Sequence, residues 1–252
     1  MRNVAESPFS VFFISVFVLW VSVRVGSLFH AKKAVKEEDR QDYDVVLTAI
    51  LTLLGLIIGF SFAMVITRYD QRKNYEEAEA NAIGTEYARA DLLPAEDGAR
   101  VRELLKNYTD QRVLFYETRD RDQLARIDAQ TAKLQSDLWS VVKSAAAKQP
   151  TPTVALVASG MNDVLNSQGY TQAAWWNRFP VAAWGLLAVI AIFCSILFGY
   201  VSHGGGVVLS LLLPFAVSTS FFLIADISSP RHGFIRVIPQ NLVTLSQSFR
   251  AR

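Results

Sequence analysis

Four apolar stretches, each long enough to cross a bilayer, divide this chain two and two around a polar stretch from roughly 70 to 176. They run from Phe9 to Phe29, Val45 to Thr67, Pro180 to Val201 and Val207 to Ile227. About 20 apolar residues rising 1.5 Å each cross roughly 30 Å of hydrocarbon. All four reach that length, and Arg24 is the charge that interrupts the first. The pattern predicts an all-α integral membrane protein with four transmembrane helices and a helical cytoplasmic domain between the second and third. Its parts are an N-terminal hairpin over 1–69, a helical domain over 70–176, a second hairpin over 177–228 and a tail over 229–252.

The chain is 51% hydrophobic and 19% charged, against about a quarter charged in soluble domains. Arg2 precedes the first stretch as in a signal peptide, but the stretch exceeds a signal core and no clean small-x-small cleavage site follows, so it reads as a true span. The formal charge of +2 gives no argument for nucleic acid as a partner. Cys194, the sole cysteine, sits inside the third stretch, which leaves no intrachain disulfide and no cysteine metal site.

Lysine and arginine placement sets orientation. With four spans, both termini and the insert share one side, which carries Arg2, Arg68, Arg72, Lys73, Arg178, Arg231, Arg236, Arg250 and Arg252 near the membrane. The other side has Lys32, Lys33, Lys36 and Arg40 in a loop that also holds Glu37, Glu38, Asp39, Asp42 and Asp44. The bias places the termini and residues 70–176 in the cytoplasm. Trp175, Trp176 and Tyr200 flank the third span, where amphipathic rings favour the headgroup layer.

The insert reads as helix throughout. Residues 70 to 93 can continue the second span into water, with Pro94 as the break. From Glu96 a helix carries Val101, Leu104, Leu105, Tyr108 and Phe115 on one face; the next, about Arg121 to Lys148, repeats Leu124, Ile127, Thr131, Leu134, Leu138, Val141 and Ala145. Such three- and four-residue steps mark amphipathic helices. Gln149-Pro150-Thr151-Pro152 interrupts, and Val154, Val157, Met161, Val164 and Leu165 begin another helix. In the tail, Ile238, Leu242, Val243 and Leu245 suggest docking on this bundle.

No catalytic constellation is visible, so no enzyme, cofactor or metal is expected. His30, His203 and His232 each lie near a span end without a ligand partner. Gly204-Gly205-Gly206 lacks the Lys-Ser/Thr of a phosphate loop and suits a tight turn. There is no GxSxG elbow. Asp226 reads as an interfacial helix-end residue.

The second span is the informative one. Gly55, Gly59 and Ala63 recur every four residues and make a flat stripe against which another helix can pack closely. About 100° round the helix, Thr52, Leu56, Phe60 and Met64 form a bulkier stripe. Two arrangements accommodate both stripes. They pack inside one four-helix monomer, or the flat stripe meets a neighbouring subunit while the bulky one lines an axis and gates by dewetting.

Gly59-Phe60 and, beyond seven residues, Arg68-Tyr69 resemble the second membrane helix of bestrophin ion channels, where a Gly-Phe pair and an Arg-aromatic pair stand at that separation. Arg68 to Arg72, Glu77 to Thr85 and the tail Ser229 to Val237 look like the bacterial bestrophin-like membrane proteins, a group long described as a domain of unknown function. The resemblance implies a homopentameric ion channel of the bacterial inner membrane, passing inorganic ions, with the neck at Thr52, Leu56 and Phe60; Met64, on the same stripe by its spacing, would continue the lining. Bestrophins usually carry three bulky apolar neck residues, so Thr52 implies a wetter ring. The acidic run of the animal calcium clasp is absent after Pro230, which predicts no calcium gating of that type.

Arg68 either faces a vestibule and attracts anions or ends the span by snorkelling or pairing with Asp70 or Glu76. Asp70, Glu76, Glu77, Glu79 and Glu86 would enrich cations if they lined such a vestibule. The rival reading is a membrane-anchored helical sensor or scaffold whose spans only anchor it.

Overall fold

A computed structural model describes residues 7–32, 37–202 and 207–251. Arg2, Lys33, Lys36, His203, the Gly204-Gly205-Gly206 turn and Arg252 lie outside the described residues. Those described form helices and connectors without a strand. The helices are α1 (Pro8–Lys32), α2 (Glu37–Arg89), α3 (Ala95–Glu117), α4 (Arg121–Lys148), α5 (Pro152–Trp176), α6 (Val181–Val201), α7 (Val207–Ser228) and α8 (Gln240–Arg250), with a short 3-10 turn at Ala90–Leu92. Among the described residues, four helices are long and apolar enough to cross a membrane.

The chain divides into two compact units, Met1–Arg68 with Arg178–Ile235, and Tyr69–Asn177 with Arg236–Arg252. In the first, α1 packs along α6 and α7. α1 and α6 approach so closely at Gly26 and Gly199 that a Cβ on either would strike the backbone of Ile196 or Val23. Only glycine permits such backbone contact between membrane helices. Asp226 differs from its expected interfacial role. It is 1% exposed, and its carboxylate accepts the backbone N–H of Phe234 at 2.7 Å and of Ile235 at 2.9 Å, fixing the connector after α7.

The second unit is a bundle of α3, α4, α5, α8 and the latter part of α2. Local chemistry sets its boundaries. The Asp120 carboxylate accepts the Gln123 N–H at 2.9 Å to start α4, and Thr151 caps α5 ahead of Pro152, whose missing donor is harmless at that position. Pro94 stands before α3, after α2 has tightened through the 3-10 turn.

The core joins Ile83, Leu105, Tyr108, Leu138, Val157, Met161 and Leu242, among others. Near the C-terminus of α4, Ala145 is buried as expected and Val142 is buried as well, while Val141, expected from the three- and four-residue steps, is only partly buried. Trp175 also differs from its expected place in the headgroup layer. It is 5% exposed, with its ring 5.1 Å from Phe115 and 5.4 Å from Tyr116. Its neighbour Trp176 is 72% exposed.

Candidate functional site: the long second helix

α2 runs unbroken for 53 residues. Within residues 45–67 its threonines donate to their own helix: Thr48 to Asp44 O at 2.8 Å, Thr52 to Thr48 O at 2.8 Å and Thr67 to Ala63 O at 2.9 Å. A hydroxyl bonded this way shows the outside only acceptor capacity. Thr52 is therefore less polar toward its surroundings than its residue type implies.

The inward edge of this stretch is Leu54, Ser61 and Val65, exposed by 6% or less. At 100° per residue, both predicted stripes lie about 140° from that edge, one on either side. The structure leaves both open. Leu56 is 53% exposed and Phe60 66%, Thr52, Gly55, Gly59, Ala63 and Met64 are exposed, and a Cβ added at Gly55 or Gly59 would meet nothing within 4 Å. The bulky stripe from Thr52 to Phe60 is about 12 Å long at helical rise.

The charged residues at the end of the span separate. Arg68 is half-buried, and its guanidinium donates to the backbone carbonyl of Arg178, tethering α2 to the entry of α6. Asp70 and Glu77 are exposed. Glu76 is 1% exposed. Its carboxylate accepts the Asn241 side-chain amide at 2.7 Å and the Leu242 N–H at 2.9 Å. It thus serves the first turn of α8, where donors lack intrahelical partners and the dipole favours an anion. α8 supplies no cap of its own, because Pro239 precedes it. That missing cap was a readable sign that another element must provide one.

Two further acidic groups turn inward. Glu79 and Arg112 are 0% exposed and pair at 2.5 Å. The Thr171 hydroxyl donates to the same carboxylate at 3.0 Å, and the Arg112 guanidinium lies 4.4 Å from the Phe115 ring centre. Burial, reinforced by Glu79, pushes the phenols of Tyr108 and Tyr116 upward and keeps them neutral. Arg112 was discernible beforehand, since it extends the apolar stripe of α3 one step past Tyr108. A cation on such a stripe needs a buried partner.

Glu86 is also fully buried, and neither oxygen has a hydrogen-bond partner. Gly160 of α5 lies so close that a Cβ there would strike the Glu86 carboxylate and the Arg89 guanidinium. Burial raises its pKa to about 8; Arg89, 3.9 Å away, opposes the rise, and Asp163 adds to it.

Among the described residues, no group of three or more His, Cys, Asp or Glu side chains is placed to hold a metal ion.

The comparisons with known proteins agree with this architecture. A family model described as a Bestrophin-like domain matches residues 13–242. A variant of a bacterial Bestrophin homolog from Klebsiella pneumoniae superposes with a TM-score of 0.67 at 12% identity, covering 97% of this chain and 98% of that one. Another crystal structure of the Klebsiella pneumoniae homolog gives 0.63 at 14% identity, covering 94% and 97%. At such identities the likeness is one of fold. No curated protein matches.

Proposed function

The chain belongs to the bestrophin-like family, and from that premise we propose that it is a homo-oligomeric ion channel, five copies around one axis, in the bacterial inner membrane. Thr52, Leu56 and Phe60 form the neck, and Met64 continues its lining. Gly55, Gly59 and Ala63 lie against the neighbouring copy. Residues 70–176 and both termini are cytoplasmic, with Asp70 and Glu77 left to shape the potential near the entrance. Membrane lipid surrounds the spans, and inorganic ions are the cargo.

One observation carries the reading: the subunit's own packing uses neither stripe of α2. Leu56 and Phe60 stay more than half exposed, and Gly55 and Gly59 face open space. A small-residue stripe accepts a close helix, and a ring of apolar side chains gates an ion path by excluding water.

The test is planar-bilayer recording of the purified protein beside Leu56→Ala and Phe60→Ala. Conductance should rise in both variants, most in the double variant, and particle images should show five-fold symmetry. A dimer that stays electrically silent in every form overturns the channel and leaves the anchored sensor or scaffold.

A further inference from the structure

Within the helical bundle, three contacts mark the seam between α2 and α5 and show that the two helices run antiparallel. Tyr170 stacks on Tyr75 with ring centres 6.0 Å apart. The neighbouring Thr171 hydroxyl donates to Glu79 at 3.0 Å. Eleven residues back along α5, or about 16 Å, Gly160 faces Glu86 and Arg89. The two ends differ in what holds them. At the first, a hydrogen bond reaches a carboxylate that is itself paired with Arg112. At the second, Glu86 is 0% exposed, and neither of its oxygens has a hydrogen-bond partner. Arg89, at 3.9 Å, is too far to supply one. The carboxyl lies against bare backbone, because a Cβ at residue 160 would strike both side chains.

A charged carboxylate without hydrogen bonds or water costs far more to enclose than a neutral carboxyl. We infer that Glu86 is a proton-operated latch: while its carboxyl is neutral, α5 closes on α2, and loss of the proton to solvent opens the Gly160 end of the seam. The Thr171 end stays pinned and acts as the pivot. The latch works inside the bundle, whether or not the protein conducts ions.

The charged surroundings set the direction. Burial is the main cause that lifts the Glu86 pKa to about 8, with Arg89 of α2 opposing and Asp163 of α5 adding to the rise. Of the neighbouring elements, the 3-10 turn commits Asp91 to Arg102, α8 brings Leu245 against Gly84, and α3 turns Lys106 to the Tyr87 ring, 5.9 Å from its centre. In the open seam Glu86 meets water and returns to its ordinary value of 4.5. The closed state therefore holds one more proton than the open state between pH 4.5 and 8. Opening grows as pH rises across that window and levels off above it.

Maleimide labelling of the full-length protein in detergent tests the latch independently of conduction. The reporter is Val157→Cys, at a position 0% exposed on α5 and one turn from Gly160; the control is Val142→Cys, at a position 1% exposed on α4. Both carry Cys194→Ala. Each labelling rate is divided by the rate for the same substitution combined with Glu86→Gln, which cancels the titration of the thiol itself. At Val157→Cys the quotient should rise about fiftyfold from pH 6 to pH 8 and less than about twofold from pH 8 to pH 9. At Val142→Cys it should stay level. Asp163→Asn should move the plateau to lower pH, and Arg89→Gln should move it to higher pH, as their opposite effects on Glu86 require. A quotient at Val157→Cys that does not change with pH overturns the latch. An equal rise at Val142→Cys also overturns it, because the whole bundle then loosens together, and so does a plateau that neither charge substitution moves.

Discussion

Residues 45–67 and residues 70–89 belong to one helix, yet they solve opposite problems. The first stretch leaves Leu56, Phe60 and Met64 outward and buries Leu54 and Val65. The second buries Ile83 and Tyr87 but also Arg72, Glu76, Glu79 and Glu86, each 2% exposed or less. In a bilayer, outward apolar groups cost nothing and close packing with neighbours is the gain. In water, apolar burial drives assembly, and a charge taken inside must be matched or neutralised. For the three acids of the second stretch that requirement is met three ways: Glu79 by an ion pair, Glu76 by the N-terminus of α8, and Glu86 by a pKa raised to about 8, which favours the protonated form.

The ion pair gives the largest test of that contrast. Arg112→Met strands the Glu79 carboxylate beside Thr171, and breaking one side of a buried pair costs about 3–5 kcal/mol. Chemical denaturation of the whole protein in detergent should show that loss. Glu79→Leu together with Arg112→Met should recover much of it, because the double change leaves no buried charge. Equal losses in the single and double variants would mean that the pair is not what holds α3 to α2.

How much of this was legible beforehand follows the same division. The four spans, the continuation of α2 into the polar region and the boundaries of α4 were readable because hydropathy and 3.6-residue periodicity act over many residues at once. The inward carboxylates were not. Asp70, Glu76, Glu77, Glu79 and Glu86 look alike in a run of mixed charge, and which ones turn inward depends on partners more than thirty residues distant: Arg112, Gly160 and Leu242. Trp175 was misplaced for a related reason. A tryptophan ahead of a span usually marks the interface, but here Phe115 and Tyr116 lie within ring contact and draw it into the bundle. The exposure of Leu56 and Phe60 needed the structure, because the stripe reads the same whether a monomer or an assembly covers it.

Glu86 provides a smaller test, with a definite sign. Its pKa rises from 4.5 to about 8 in the folded chain because burial disfavours the carboxylate, with Arg89 opposing from α2 and Asp163 assisting from α5. A group raised on folding stabilises fully below its unfolded pKa, and that contribution is lost as pH rises through the folded one. The melting temperature should therefore decline between pH 5 and 8. Glu86→Gln should flatten the decline and exceed wild type at pH 8 by about 1 kcal/mol, the equivalent of less than one pH unit, since a buried amide carries its own desolvation cost. Parallel pH profiles in the two proteins would mean that Glu86 is charged and paired at neutral pH.

The smallest expected effect on stability is also the sharpest probe of the contrast. Phe60→Ala and Phe115→Ala are the same chemical change on two helices. Phe115 is 1% exposed, and removing a buried phenylalanine costs about 3–5 kcal/mol through lost burial and the cavity left behind. Phe60 is 66% exposed, so its truncation should alter the stability of the isolated subunit by about 0.5 kcal/mol or less. Thermal unfolding of both variants in the same detergent measures the two costs. A loss at Phe60 approaching that at Phe115 would place the Phe60 ring in a packed interface between copies, and would contradict an open neck at that level.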